Sequence, residues 1–163
     1  MPERTYEPSF VEICTKVNNA KDKPAKIKVL REYRSQSLEM FLKGALDPNM
    51  EWLLPEGQVP YMPNEAPEGT EHTMLISEAR KLYHYIKGAN NLTGHKREQM
   101  FVQLLEGLHA GEADVLCSAK DKKLHQKYKG LSANVVKEAF NWNDDYKLDD
   151  QHVYHQAEGP ANG

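Results

Sequence analysis

A chain of 163 residues, 39% apolar or aromatic and 28% charged, has the make-up of one ordinary globular domain able to bury its own core. Two cysteines, no apolar run of membrane-spanning length and no signal-peptide core in the N-terminal MPERTYEPS exclude a disulfide scaffold and a transmembrane protein; a cytoplasmic location is the expectation. The formal net charge of −3 conceals segregated charges, which bear on partners and not on fold.

Ser9-Phe10-Val11-Glu12 has the form of a capping box and opens a helix with Phe10, Ile13, Cys14 and Val17 on one side, ending near Asn18-Asn19. Asp22 caps the next helix, where Pro24 is tolerated because its missing N–H would be unpaired in the first turn. Ile27, Leu30 and Tyr33 then recur at helical spacing. Ser35 or Ser37 starts a third helix with Leu38, Phe41, Leu42 and Ala45 inward, and Asp47-Pro48 ends it because a residue before proline avoids the α region.

Pro48, Pro55, Pro60, Pro63 and Pro67 then rule out a helix and disfavour a central strand. Residues 47–72 are predicted as an ordered extended arm across the helices, with Trp52, Leu54, Val59, Tyr61 and Met62 to bury; a mobile linker between two domains is the alternative. Thr73 to Lys87 is amphipathic, with Leu75, Ile76, Ala79, Leu82, Tyr83 and Ile86 inward and Gly88 as its C-cap. Thr93 caps a helix carrying Met100, Phe101, Leu104, Leu105 and Leu108 on one stripe. His109-Ala110-Gly111 reads as a turn, and Glu112 to Ser118 as a short helix. Leu124 and Tyr128 give a further turn, Gly130 breaks it, and Ser132 caps Ala133 to Phe140. The fold class is therefore all-α: a compact bundle of about seven or eight short helices crossed by a proline-rich segment. Residues 1–140 form one helical domain in this reading, and the acidic 141–163 a flexible tail.

Seven Lys or Arg lie between Lys16 and Arg34, against Asp22 and Glu32, and six Lys between Lys120 and Lys137, against Asp121. Residues 44–79 contain no Lys or Arg but seven acids, Asp47 to Glu78. The basic stretches read either as ordinary solvated helix faces or as one positive surface assembled by folding. Lys120, Lys122, Lys123, Lys127, Lys129 and Lys137 could neutralise phosphates, and Gly130-Leu131-Ser132 offers a helix N-terminus whose free N–H groups attract them. Ser132 and Asn134 could donate to a backbone oxygen, and Lys26, Lys28 and Arg31 could widen the track. Nothing in the sequence commits to catalysis: there is no phosphate-cradling Gly-rich loop, nucleophile elbow or HExxH. No cofactor and no metal is expected. His152 and His155, near Asp149 and Asp150, sit in the tail with nothing to preorganise them, and His84, His95, His109 and His125 read as single polar fillers.

DPNMEWLLPEGQVPY, EARKLYHYIKG, QLLEGLHAGEADVL and KDKKLHQKYKGLSANVVKEAF resemble segments of a protein family of tailed bacteriophages, notably those of cyanobacteria, which brings no assigned activity. The order of segments from about residue 10 to 140 also resembles the N-terminal helical DNA-binding domain of ATP-dependent DNA ligases. KPAKIKVLREYRSQSLEMFLKGALDPNMEWLL is similar to that domain's opening; EADVLCSAKDKKL, Gly130-Leu131-Ser132 and Asn134 to Phe140 are similar to its closing. In the ligases the closing part sets a Gly-Ser turn and a helix start near the DNA backbone. This chain departs by inserting lysines between Leu124 and Gly130. It also departs in catalysis: Lys127-Tyr128-Lys129-Gly130 has Lys129 where the ligases' Lys-x-Asp-Gly setting needs an acid, and a lysine without its nucleotide pocket is not activated.

The resemblance implies a non-enzymatic phage accessory protein that grips duplex DNA, intact or nicked, in the host cytoplasm through backbone phosphates. About five neutralised phosphates would give a slope of about −4 to −5 in log affinity against log salt. The alternative is an adaptor or inhibitor on a host or phage replication or transcription protein, with no nucleic-acid role, docking through the acidic, aromatic arm around Trp52 and Tyr61. A minor virion component is a third reading. No membrane partner is expected.

Overall fold

The computed structural model describes residues 8–64, 73–88 and 91–148. Among them are eight α-helices, one 3-10 helix and only isolated β-bridges, so the chain is all-α. The predicted N-caps are in place, whereas the C-cap expected at Gly88 falls at Ile86. Ser9 Oγ accepts from Glu12 N at 3.2 Å while Glu12 Oε1 accepts from Ser9 N, the reciprocal box that starts α1, Phe10–Asn19. Asp22 caps α2, Lys23–Glu32, and Ser35 caps α3, Gln36–Leu46. The helical stripe of each lies inward: Phe10, Leu30, Leu38 and Phe41 are fully buried, and the Phe10 and Phe41 rings meet at 5.2 Å. Burying each such side chain stabilises the fold by about 1.5–3 kcal/mol.

After α3 the chain extends. Trp52 is buried, and its indole N–H donates to Gly44 O at 2.8 Å across the end of α3. Leu54, Val59 and Tyr61 pack partly buried against the core, but Met62 is 75% exposed, contrary to its expected inward place. Its amide is instead fixed to solvent-side Glu106 Oε2 at 2.9 Å, which turns the methionine outward.

The predicted single helix over Thr73–Lys87 is broken into α4, Leu75–Glu78, and a 3-10 helix, Ala79–Tyr85. Three residues per turn put Ala79, Leu82 and Tyr85 on one face, and all three are buried. The same pitch swings Tyr83, expected inward, out to 43% exposure. The helix stops where Ile86 bridges Trp52, with Leu53 N donating to Tyr85 O and Lys87 N to Glu51 O. Thr93 caps α5, Gly94–Gly107. The next helix, α6, spans Ala110–Lys120, starting two residues before the expected Glu112 because His109 Nδ1 accepts from Gly111 N as a cap. Two short helices follow, α7 at Leu124–Lys127 and α8 at Ala133–Phe140, the latter capped by Ser132 as expected.

The core sits between α1, α3 and α6, with α2 sandwiched between α1 and α8. Glu112 is its principal buried carboxylate, 1% exposed. One oxygen accepts from Phe10 N at 2.9 Å and the other from Leu75 N at 2.8 Å, so a single side chain on α6 holds the starts of α1 and α4. Folding continues past residue 140. Trp142 packs edge-on against Phe140 at 5.1 Å, Tyr146 is buried, and Asn143 closes a turn through residue 147. The rest of the predicted tail, with His152, His155 and Asp149-Asp150, lies outside the described residues.

Candidate nucleic-acid interface

The two basic stretches meet, though not along their whole length. The last turn of α1 touches the turn before α8: Gly130 N donates to Asn18 Oδ1 at 2.8 Å. A Cβ at Gly130 would fall 3.0 Å from Asn18 Cα, Asn18 O and Lys26 Cε, so the turns approach this closely only because a glycine is there. Lys26 itself is half-buried, its ammonium donating to Ala20 O and more distantly to Asn18 O at the end of α1. Beyond the junction α8 begins. Ser132 Oγ accepts from Val135 N at 3.3 Å, while the amides of Ala133 and Asn134 and the side chain of exposed Asn134 make no hydrogen bond among the described residues. Those amides are the donors of a helix start that anions seek.

Other predicted phosphate contacts prove to be structural. Lys120 is only 4% exposed, so it is withdrawn from the set: its ammonium sits on Asp121 and donates to Pro55 O at 2.7 Å and Gly57 O at 3.3 Å. Asp121 in turn accepts from Gly57 N, so the pair ties the arm to the end of α6. Lys122, in a left-handed conformation at φ 59°, sends its ammonium back to Gly44 O and Asp47 O, both at 2.7 Å. Burial lowers its pKa, and Asp47 opposes that shift. Arg31 donates to Ala139 O at 2.9 Å and Glu138 O at 3.1 Å, closing the carbonyl end of α8. Lys137 pairs with Asp144 at 3.2 Å over the Tyr146 ring. Lys127 pairs with Asp114 at 2.6 Å, a hydrogen bond that raises its pKa, and lies over the Tyr128 ring.

Three of the predicted cations, Lys28, Lys123 and Lys129, are exposed, and their ammonium groups make no hydrogen bond or ion pair among the described residues. Lys129 adjoins Gly130 at the junction, and Lys28 lies one turn along α2 from its start. The residue that sequence reasoning missed is Asn18. It read only as a helix end, because an amide that bridges 112 positions leaves no local pattern. Among the described residues no group of three or more His, Cys, Asp or Glu is placed to hold a metal ion, and no helix is long and apolar enough to cross a membrane.

Fold and site define a small all-α protein that uses part of its lysine as internal staples and carries Lys129 next to the contact between Gly130 and the end of α1. The chain belongs to the family of unknown function DUF6433, whose profile matches residues 13–126. No curated protein and no solved structure matches it.

Proposed function

We propose that this is a non-enzymatic accessory protein of a tailed bacteriophage, acting in the host cytoplasm, that holds duplex DNA through its phosphates. The reading draws on the resemblance of the chain to ligase DNA-binding domains. The observation that carries it is the contact of Gly130 with Asn18 and Lys26, which holds the segment from Lys129 to the open amides of Ala133 and Asn134 against the end of α1 at Gly130. Phosphate contacts of this kind position a duplex without reading its sequence.

With Lys120 buried and the Lys122 ammonium bonded to carbonyls of its own chain, about three phosphates remain to be neutralised, by Lys28, Lys123 and Lys129, and the slope of log affinity against log salt falls to about −3. Fluorescence anisotropy on intact and nicked duplexes through a salt series measures it. Absence of binding at low salt ends the reading, and tighter binding to the nicked duplex supports the ligase-like use of the junction. An adaptor role on a replication or transcription protein is favoured by one feature, the apolar groove beside the arm. A partner retained from infected-cell lysate after nuclease treatment favours that role; one lost on treatment favours DNA.

A further inference from the structure

The extended arm does not lie flat on the molecule. Between it and α5 runs an open groove of about 480 Å³, walled by Leu54, Val59 and Pro60 on one side and by Phe101 and Val102 on the other. That volume lies within the range of sites that hold a ligand or a few peptide side chains. Three amides, Gln58, Gln99 and Gln103, also line it; each can donate and accept, the pair of functions a peptide backbone requires.

Two further observations narrow the occupant. First, the arm's backbone along this stretch finds no partner among the described residues. The N–H groups of Gln58, Val59 and Tyr61 and the carbonyls of Gln58, Val59 and Pro60 make no hydrogen bond among the described residues, whereas Pro55, Gly57 and Met62 on either side are fixed to Lys120, Asp121 and Glu106. An extended segment pinned at both ends, with open backbone groups between the pins, is a template for strand addition. Second, the charge has one sign. The groove's lining contains no Lys or Arg, one His, His95, and one carboxylate, Glu98, and the arm belongs to the run 44–79 with seven acids and no Lys or Arg.

We propose that the groove between the arm and α5 docks an extended peptide of a partner protein, pairing with the backbone at 58–61, filling the apolar floor with one or two aliphatic side chains and setting a Lys or Arg against Glu98. A small apolar ligand would leave the backbone and the glutamines unanswered. The groove shares no residue with the Gly130 contact, so the peptide site is distinct from the DNA reading's junction.

The probe is a bead-bound library of random octapeptides screened with the labelled full chain and with Val102→Arg, which fills the floor from a partly exposed position. The expected result is a set of aliphatic, Lys- or Arg-containing peptides that Val102→Arg binds at least tenfold more weakly. Glu98→Lys, on an exposed residue and neutral to the fold, shifts the selected peptides from basic to acidic. N-methylation of the peptide backbone abolishes binding without changing side chains. The proposal is overturned if no peptide distinguishes the chain from Val102→Arg, if Glu98→Lys leaves the selected charge unchanged, or if N-methylated peptides bind as well as their parents. It is overturned also if sedimentation shows a dimer that Val102→Arg dissolves, since a second copy would then be the occupant. Circular dichroism identical to the parent's shows that both variants fold.

Discussion

At Gly130 and Cys14 single atoms decide what the fold tolerates. Adding one methyl at Gly130 puts it 3.0 Å from the backbone of Asn18, which cannot rotate away as the Lys26 stem can. Gly130→Ala is therefore expected to cost about 1–3 kcal/mol, read as a lower urea midpoint, and to weaken duplex binding beyond that by parting the two turns. Cys14 is buried on the inner face of α1, and its thiol pKa is pushed up to about 12 by burial first and by the Glu112 carboxylate second. Burial pushes half-exposed Cys117 up to about 11. A thiol that stays protonated in the folded chain but ionises near pH 9 when unfolded stabilises the fold below that pH. The stabilisation is lost as pH rises from 9 towards the folded value. The chain is expected to lose stability between pH 9 and 10, at up to about 1.4 kcal/mol per pH unit for each thiol. Cys14→Ala, folded at pH 7 with a modest loss, removes about half of the thiols' share of that slope in urea titrations. An unchanged slope would show that Cys14 ionises in place.

Helices in this chain are started by side chains, and the starts that use local patterns were legible while those that use distant ones were not. Ser9, Asp22, Ser35, Thr93 and Ser132 each cap within three residues, so sequence spacing finds them. The starts of α1 and α4 also lean on Glu112, which is 102 and 37 positions away and looks like an ordinary surface glutamate in an amphipathic helix. Glu112→Gln keeps the shape but faces an NH₂ group towards a buried N–H. It is expected to cost about 2–3 kcal/mol by chemical denaturation, with α1 and α4 losing amide protection together. Loss of protection at α1 alone would show that α4 is held by packing. The arm repeats the lesson. Its prolines announced an extended course, but Lys120, its anchor, looked like one more member of a lysine cluster. Lys120→Met strands two carbonyls and half-buried Asp121 and is expected to cost about 3 kcal/mol, with new protease cleavage between residues 54 and 60. The 3-10 pitch of Ala79–Tyr85 was hidden too, because the bridge from Ile86 to Trp52 sets it across the sequence.

Charge is distributed over the molecule by role more than by stretch. Lys120, Lys122 and Arg31 satisfy buried or terminal carbonyls, Lys23, Lys127 and Lys137 are matched by Glu138, Asp114 and Asp144, and the unmatched cations among the predicted set reduce to Lys28, Lys123 and Lys129. A count of lysines along the sequence therefore overstates the charge available to a polyanion, since it cannot separate an ammonium bonded to carbonyl oxygens from one in water. The distinction makes opposite predictions for neighbouring residues. Lys129→Glu leaves the unfolding free energy within about 0.5 kcal/mol of the parent in urea, since it breaks no contact among the described residues, but lowers the magnitude of the salt slope by about 1 and weakens all duplex sequences alike. Lys122→Glu does the reverse: it removes two hydrogen bonds at 2.7 Å and sets a carboxylate near two carbonyls, so the unfolding free energy drops by about 2 kcal/mol while the salt slope of the folded fraction holds. Measuring both quantities on both variants separates staple from contact. If Lys122→Glu changes the slope and Lys129→Glu does not, the duplex lies against the end of α3 and the two-turn junction is only a packing contact.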